Sequence, residues 1–285
     1  MAELSIIIPV YNEEAAIQKT VRDVQAALKQ VKSSSEIILV NDSSIDATAS
    51  ILKKLSGVRI VTHPKNRGYG ASLKTGIRNA QGKWILIVDA DGTYPIDAIP
   101  TLLKETSKYD MVVGSRTGEN VSIPFFRRPA KWFLNKLTTY LTGTKIPDLN
   151  SGLRVFKKEI AERFFHLFPE GFSFTTTITV ACLTNGYSVK FVPINYYKRK
   201  GKSTMRPQQF FAFLQLIARL ITCFKPLNFF LPPSVLLILV GIIKMTLDFI
   251  HQNHFGVGGV MVVLAGIQIF MMGLLADLII TRTKV

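Results

Sequence analysis

The sequence predicts an α/β domain with a mostly parallel sheet and helices on both faces, followed by a two-helix membrane hairpin. Three observations predict it. Short apolar runs alternate with segments of helical periodicity through the first two thirds, and that alternation builds parallel sheets. The runs are continuously apolar, as in strands covered on both faces. The last third holds two apolar stretches, 226–250 and 255–280, each longer than the roughly 20 residues a bilayer crossing needs.

The elements follow in order. "LSIIIPV" (4–10) is a strand and 13–31 a helix; "EIILVND" (36–42) is a strand and 46–55 a helix; "VRIVTH" (58–63) is a strand and 70–80 a helix. "KWILIVDAD" (83–91) is a strand, 97–107 a helix, and "DMVVGS" (110–115) a fifth strand. In such sheets ligands bind beyond the carboxyl ends of the strands. Pro9, Tyr11, Asn12, Glu13, Asn41, Asp42, Asp89 and Asp91 sit at such ends.

"VDADGTYP" (88–95) ends an apolar strand on two carboxylates one residue apart. Alternation aims both side chains to one side, and a buried carboxylate is costly without a partner. A divalent cation would remove the repulsion, and hard oxygen ligands suit Mg²⁺ or Mn²⁺. The other reading of these residues alone is a polar Asp-Gly turn.

The chain of 285 residues combines 48% hydrophobic residues with a formal net charge of +16. That pairing suggests a membrane surface, phosphorylated ligands or nucleic acid. The hairpin accounts for the charge more simply, so no nucleic-acid partner is expected. Two cysteines, Cys182 and Cys223, lie far apart and suit a reducing compartment. The N-terminus has no basic and apolar run of the kind a cleavable signal carries.

The segments 226–250 and 255–280 can be read as spans or as two buried core helices, and length and hydropathy favour spans. The link "HQN" lacks Lys and Arg, whereas "RLITCFK" (219–225) and "TRTK" (281–284) carry them. The positive-inside rule then puts the main domain and the C-terminus in the cytoplasm. Lys244 and Asp248 interrupt the first span and should face the partner helix or an interface. Segments 127–143 and 206–224 carry aromatic residues and cations at helical spacing and suit lipid headgroups; the first also fits an ordinary core helix. The expected domains are 1–205, an interfacial helix at 206–225, and a hairpin and tail at 226–285.

"SIIIPVYNEE", "LVNDSSIDAT", "NRGYGASLKTG", "VDADGTYP", "VGSR", "DLNSGLRVF" and "YKRKGKST" occur in order. Together they resemble the family-2 inverting glycosyltransferases of GT-A fold, and more narrowly the polyprenyl-phosphate glycosyltransferases. The motifs cover about residues 4–205. The resemblance implies a nucleotide-sugar donor, a dolichyl or undecaprenyl phosphate acceptor, a divalent metal (Mg²⁺ or Mn²⁺), and an integral membrane protein. It implies that Pro9, Tyr11, Asn12 and Glu13 line the nucleotide pocket with Val40 and Ala90, and that Asp42 contacts the nucleoside. Asp89 and Asp91 would hold the metal and the sugar-nucleotide. Arg199 and Lys202, on the loop 198–202, would close over the diphosphate. By their place after the fifth strand and before the interfacial helix, Arg116, Arg127 and Arg128 would meet the lipid phosphate, as Arg154 would by resemblance; a basic face that only meets anionic lipid is the other reading of the cations. Asp148 and Arg116 would join the carboxylate pair in catalysis, with Asp148 orienting acceptor or sugar; capping a local turn is the other reading of Asp148.

Two departures stand out. The usual Asp-Asp-Gly-Ser reads Asn41, Asp42, Ser43, Ser44 here. The region that often carries a catalytic acid reads "GFSFTTTITVACL" (171–183), without one. A sugar hydroxyl needs a base, whereas a phosphate monoester is already anionic, so the acceptor is expected to be a lipid phosphate. A processive polysaccharide synthase and a catalytically inactive membrane scaffold are the alternatives, and a homo-oligomer is compatible with the sequence.

Overall fold

The computed structural model describes residues 2–31, 33–118, 136–140, 142–171, 173–197, 222, 224, 226–252, 254 and 256–283. The chain forms two compact units, Met1–Pro207 and Gln208–Val285.

The first unit is a seven-stranded sheet flanked by helices. In chain order it runs β1 (Leu4–Val10), α1 (Ile17–Leu28), β2 (Ser35–Asn41), α2 (Thr48–Leu52), β3 (Arg59–Thr62), α3 (Tyr69–Asn79), β4 (Trp84–Ile87), α4 (Ile99–Glu105) and β5 (Met111–Ser115). Then come β6 (Arg154–Lys157), α5 (Lys158–Arg163), α6 (Phe174–Thr184) and β7 (Val189–Pro193). The strand order is β3-β2-β1-β4-β6-β5-β7. β1, β2, β3 and β4 pair in parallel, whereas β6 runs antiparallel between β4 and β5. The sheet is wound outward from β1 in both directions, so the chain reverses its course between β1 and β4. In sheets of this kind ligands bind in the crevice outside the carboxyl ends of the strands at that reversal.

The core follows from the apolar runs. Ile6, Ile7 and Ile8 of β1 and Ile38, Leu39 and Val40 of β2 are wholly buried. Amphipathic α1 turns Ile17, Val21 and Val24 inward. β3 departs from the continuously buried expectation: it is a four-residue edge with Ile60 exposed, and short edges limit stray pairing. β4 ends at Ile87 rather than 91. Val88 still donates to the Ile7 carbonyl, and the chain then turns so that Thr93 binds the Asp91 carboxylate through its N–H and its hydroxyl.

In the second unit, α7 (Pro226–Gln252) and α8 (Val257–Thr283) run antiparallel. Each contains a 26-residue stretch long and apolar enough to cross a bilayer. Gly241 meets Gly259 and Val263, and Gly266 packs on the backbone of Ser234 and Ile238. Small residues let helix backbones approach without a water-driven force. Leu236, Ile243, Met261 and Ile279 point outward, which suits lipid. Lys244 pairs with Asp248 at 3.2 Å along α7, and Gly256 sits against the Asp248 carboxylate. Of the two expected interfacial segments, residues 136–140 are helical; the remainder of the first falls mostly outside the described residues, as does all of the second but 222 and 224.

Candidate active site

Asp89 and Asp91 follow β4 at the crevice. The Tyr69 hydroxyl donates to Asp89 Oδ1 at 2.8 Å. Burial, then the Asp91 carboxylate, pushes Asp89 up to about 6, although Tyr69, Arg116 and Arg154 pull the other way. Burial and the Asp89 carboxylate hold the Tyr69 proton well above the ordinary phenol range, so Tyr69 acts as a donor. The pair is an electrostatic conflict that a cation would resolve. No cluster of three or more His, Cys, Asp or Glu occurs among the described residues. Two hard carboxylates fit a Mg²⁺ or Mn²⁺ ion, which would take its remaining ligands from phosphate oxygens and water.

The ends of β1 and β2 form the neighbouring wall. Asn12 (φ 56°) and Ser43 (φ 61°) both adopt left-handed backbone, which is uncommon outside glycine and points to a site that over-determines it. They are cross-linked: Asn12 N–H donates to Ser44 Oγ at 3.1 Å, and Ile45 N–H to Asn12 Oδ1 at 2.9 Å. Asn41 Oδ1 accepts from Ser44 N–H. Tyr11 and Asn12 are half-buried, whereas Pro9, Glu13 and Ala90 are buried.

Asp42 is buried and fully engaged. Oδ1 meets His63 Nδ1 at 2.7 Å and accepts from Arg67 N–H at 2.9 Å; Oδ2 accepts from Gly68 N–H at 2.7 Å. His63 Nε2 then meets Thr75 Oγ1 at 2.9 Å. The carboxylate thus anchors the loop that enters α3.

Beyond β5, Asp148 holds Arg116 in a fork: Nε–H donates to Oδ2 at 2.7 Å and Nη2–H to Oδ1 at 2.9 Å, with the Arg116 backbone N–H also on Oδ2 at 2.9 Å. The guanidinium lies 5.1 Å from the Tyr196 ring centroid, and Tyr196 packs edge-on against Tyr94. Burial opposes the Arg116 charge, but Asp148 more than offsets it and lifts the group above its ordinary value. Asp148 itself is 1% exposed. Such forks fix a cation's geometry as well as its charge.

Two expectations need correction. Arg154 does not lie where a lipid phosphate could reach it. It is wholly buried and donates to the carbonyls of Ser151, Thr175 and Leu149 and to Thr179 Oγ1. Val40 does not line a pocket: it is wholly buried in β2, paired with Pro9 and Val61. Arg127, Arg128, Arg199 and Lys202 lie outside the described residues. Sequence reasoning missed Tyr69, His63, Tyr94, Tyr196 and Gly152 around the carboxylates and Arg116. Tyr69 and Tyr94 lie inside the quoted motifs, so adjacency to the motif carboxylates was an available signal.

Ser115 Oγ, next to Arg116, is buried with no hydrogen-bond partner among the described residues. An orphaned buried hydroxyl costs about 1–3 kcal/mol. Ser115→Ala is therefore expected to raise the unfolding midpoint by a few degrees, read by thermal melting of the purified protein.

Residues 5–165 match the model of Glycosyl transferase family 2, and residues 225–281 match the GtrB C-terminal hairpin. The chain is 27% identical over 284 residues to the low-salt glycan biosynthesis hexosyltransferase Agl6 of Haloferax volcanii, covering 95% of this chain and 67% of that one. It is 28% identical over 295 residues to the undecaprenyl-phosphate 4-deoxy-4-formamido-L-arabinose transferase of Sodalis glossinidius, covering 97% and 88%. Glucosyl-3-phosphoglycerate synthase from Mycobacterium tuberculosis, solved with Mn²⁺, UDP-glucose and phosphoglyceric acid, superposes with a TM-score of 0.61 at 19% identity, over 78% of this chain and 79% of that one. At that identity the likeness speaks for the GT-A fold. The family model spans more than half of the sequence, and the chain belongs to glycosyl transferase family 2.

Proposed function

We propose that the enzyme moves one sugar from a UDP- or GDP-sugar to a polyprenyl phosphate, dolichyl or undecaprenyl, with inversion at the anomeric carbon. The observation that carries the reading is the Arg116–Asp148 fork. The acid of the "DLNSGLR" motif is committed to holding a cation, and α6 carries no acid. A sugar hydroxyl would need a base there. An acceptor that is already an anion needs a fixed positive charge, which Arg116 supplies.

In this reading Asp89 and Asp91 bind the donor's diphosphate through a divalent metal, which when present neutralises charge on the leaving group. Asn12, Ser43 and the residues around them shape the donor wall. Arg116 aligns the acceptor phosphate for in-line attack, and Arg127 and Arg128 are candidates to add charge there; Arg199 and Lys202 are candidates at the diphosphate. Positioning and electrostatics supply most of the rate. The relatives' polyprenyl-phosphate chemistry and the GtrB hairpin support a lipid acceptor. The charge asymmetry around the spans supports a cytoplasmic catalytic domain and C-terminus.

The test is transfer from a panel of radiolabelled UDP- and GDP-sugars to polyprenyl phosphate by the detergent-purified chain, with Mn²⁺, Mg²⁺ or EDTA. A lipid-soluble product that disappears with EDTA is expected. No transfer from any donor would overturn the reading.

A further inference from the structure

We infer that Tyr69 is a positioning residue of the donor site, fixing the Asp89 carboxylate in one orientation before a cation-bearing nucleoside diphosphate arrives. The inference rests on the reading that Asp89 and Asp91 receive such a group.

The geometry is built from three sides. First, the backbone at Tyr69 is fixed. Asp42 accepts from the N–H groups of Arg67 and Gly68 at 2.9 and 2.7 Å, and Gly68 turns the chain with φ 97°. The N–H groups of Gly70 and Ala71 donate to the carbonyls of Gly171 and Glu170 at 3.1 and 2.8 Å. The start of α3 is therefore held by a carboxylate before it and a loop beside it. Second, the ring carries its hydroxyl to Asp89 Oδ1 at 2.8 Å. Third, the Gly152 backbone packs closely against the same carboxylate. A Cβ there would collide with both Asp89 oxygens, and the Gly152 N–H donates to the Tyr94 hydroxyl at 2.6 Å, which pins it.

Asp89 is thus clamped between a donor and a close-packed backbone. A carboxylate beside a second carboxylate would otherwise swing away from it. The clamp keeps the two together in the free protein, so that binding does not have to order them; preorganisation of this kind raises affinity. It also gives Asp42 a role through Tyr69, because the buried carboxylate sets the loop from which Tyr69 projects.

The test uses full-length protein in detergent. Mn²⁺ binding in the presence of UDP or GDP is followed by electron paramagnetic resonance, and nucleotide binding is measured separately in EDTA. Tyr69→Phe removes one hydrogen bond to a charged acceptor and is expected to weaken Mn²⁺ binding about tenfold. Nucleotide binding in EDTA should stay near the wild-type value, and the melting temperature should fall by no more than the few degrees that one lost hydrogen bond costs. Gly152→Ala should weaken Mn²⁺ in the same direction by crowding Asp89. If Tyr69→Phe binds Mn²⁺ as wild type does, while Asp91→Ala loses it, the positioning role is overturned and the metal reading stands. If Tyr69→Phe lowers nucleotide binding in EDTA as much as it lowers Mn²⁺ binding, a role specific to Asp89 is overturned. If wild type binds Mn²⁺ no better than Asp91→Ala, the underlying reading falls and the inference with it.

Discussion

Arg154→Met is expected to destabilise the transferase unit by about 3–5 kcal/mol and to leave most of the protein unfolded or aggregated. The side chain is wholly buried, and its guanidinium is the donor for carbonyls of Leu149, Ser151 and Thr175. Methionine fills much of the volume but takes the Arg154 donors away from the Leu149 and Ser151 carbonyls, whereas the Thr175 carbonyl keeps Thr179 Oγ1, and each buried carbonyl that loses its donor carries a desolvation penalty. Arg154→Lys should fare little better, because one ammonium cannot reproduce a planar fork that reaches Ser151, Thr175 and Thr179 together. Urea unfolding of the detergent-purified protein reads the effect. A folded variant with weakened acceptor binding would instead mean that Arg154 serves the lipid phosphate.

The second large effect is on turnover. Asp91→Ala is expected to lower transfer by about 10²–10³-fold or more, because removing one preorganised electrostatic contact at a developing charge costs that much. Asp89→Asn should also lose transfer, but it should make the metal-free protein more stable. Burial and Asp91 raise the folded Asp89 to about 6, above the usual carboxylate range. Folding therefore favours the protonated form, so Asp89 contributes its stability at acid pH and loses it as pH rises through about 6. At neutral pH the ionised carboxylate is a penalty on the order of 1–3 kcal/mol that asparagine removes. The gain for Asp89→Asn should shrink as pH falls toward 4, where both proteins are neutral at this position. Thermal melts in EDTA across pH 4–8, beside the transfer assay, check both halves. Such a trade between stability and activity is common where like charges are held together for function.

The parts of the fold legible in the sequence are those that local pattern determines. β1, β2, β4 and β5 show as apolar runs because both their faces are covered, and α1 shows because it buries one stripe. α7 and α8 show by length and hydropathy together. The region from 150 to 197 was not legible. β6 has four residues, and α6 is buried nearly all round from Phe174 to Cys182, so neither carries a one-sided pattern. The antiparallel insertion of β6 depends on a partner far along the chain. The same division runs through the site. The carboxylates and Arg116 announce themselves by position at strand ends. What each side chain does was hidden, because it depends on long-range partners: His63 for Asp42, Arg116 for Asp148, Thr175 and Thr179 for Arg154. Residue type showed that a charge was present and could not show what neutralised it.

The proposed acceptor is an anionic lipid phosphate that needs a fixed cation and no base. This is tested most directly by offering the purified enzyme polyprenyl phosphate and the matching polyprenol, with the same donor and metal. Transfer to the phosphate, no product from the alcohol, and loss of transfer to the phosphate in Arg116→Ala are expected. Comparable transfer to the alcohol, or undiminished transfer to the phosphate without Arg116, would contradict it.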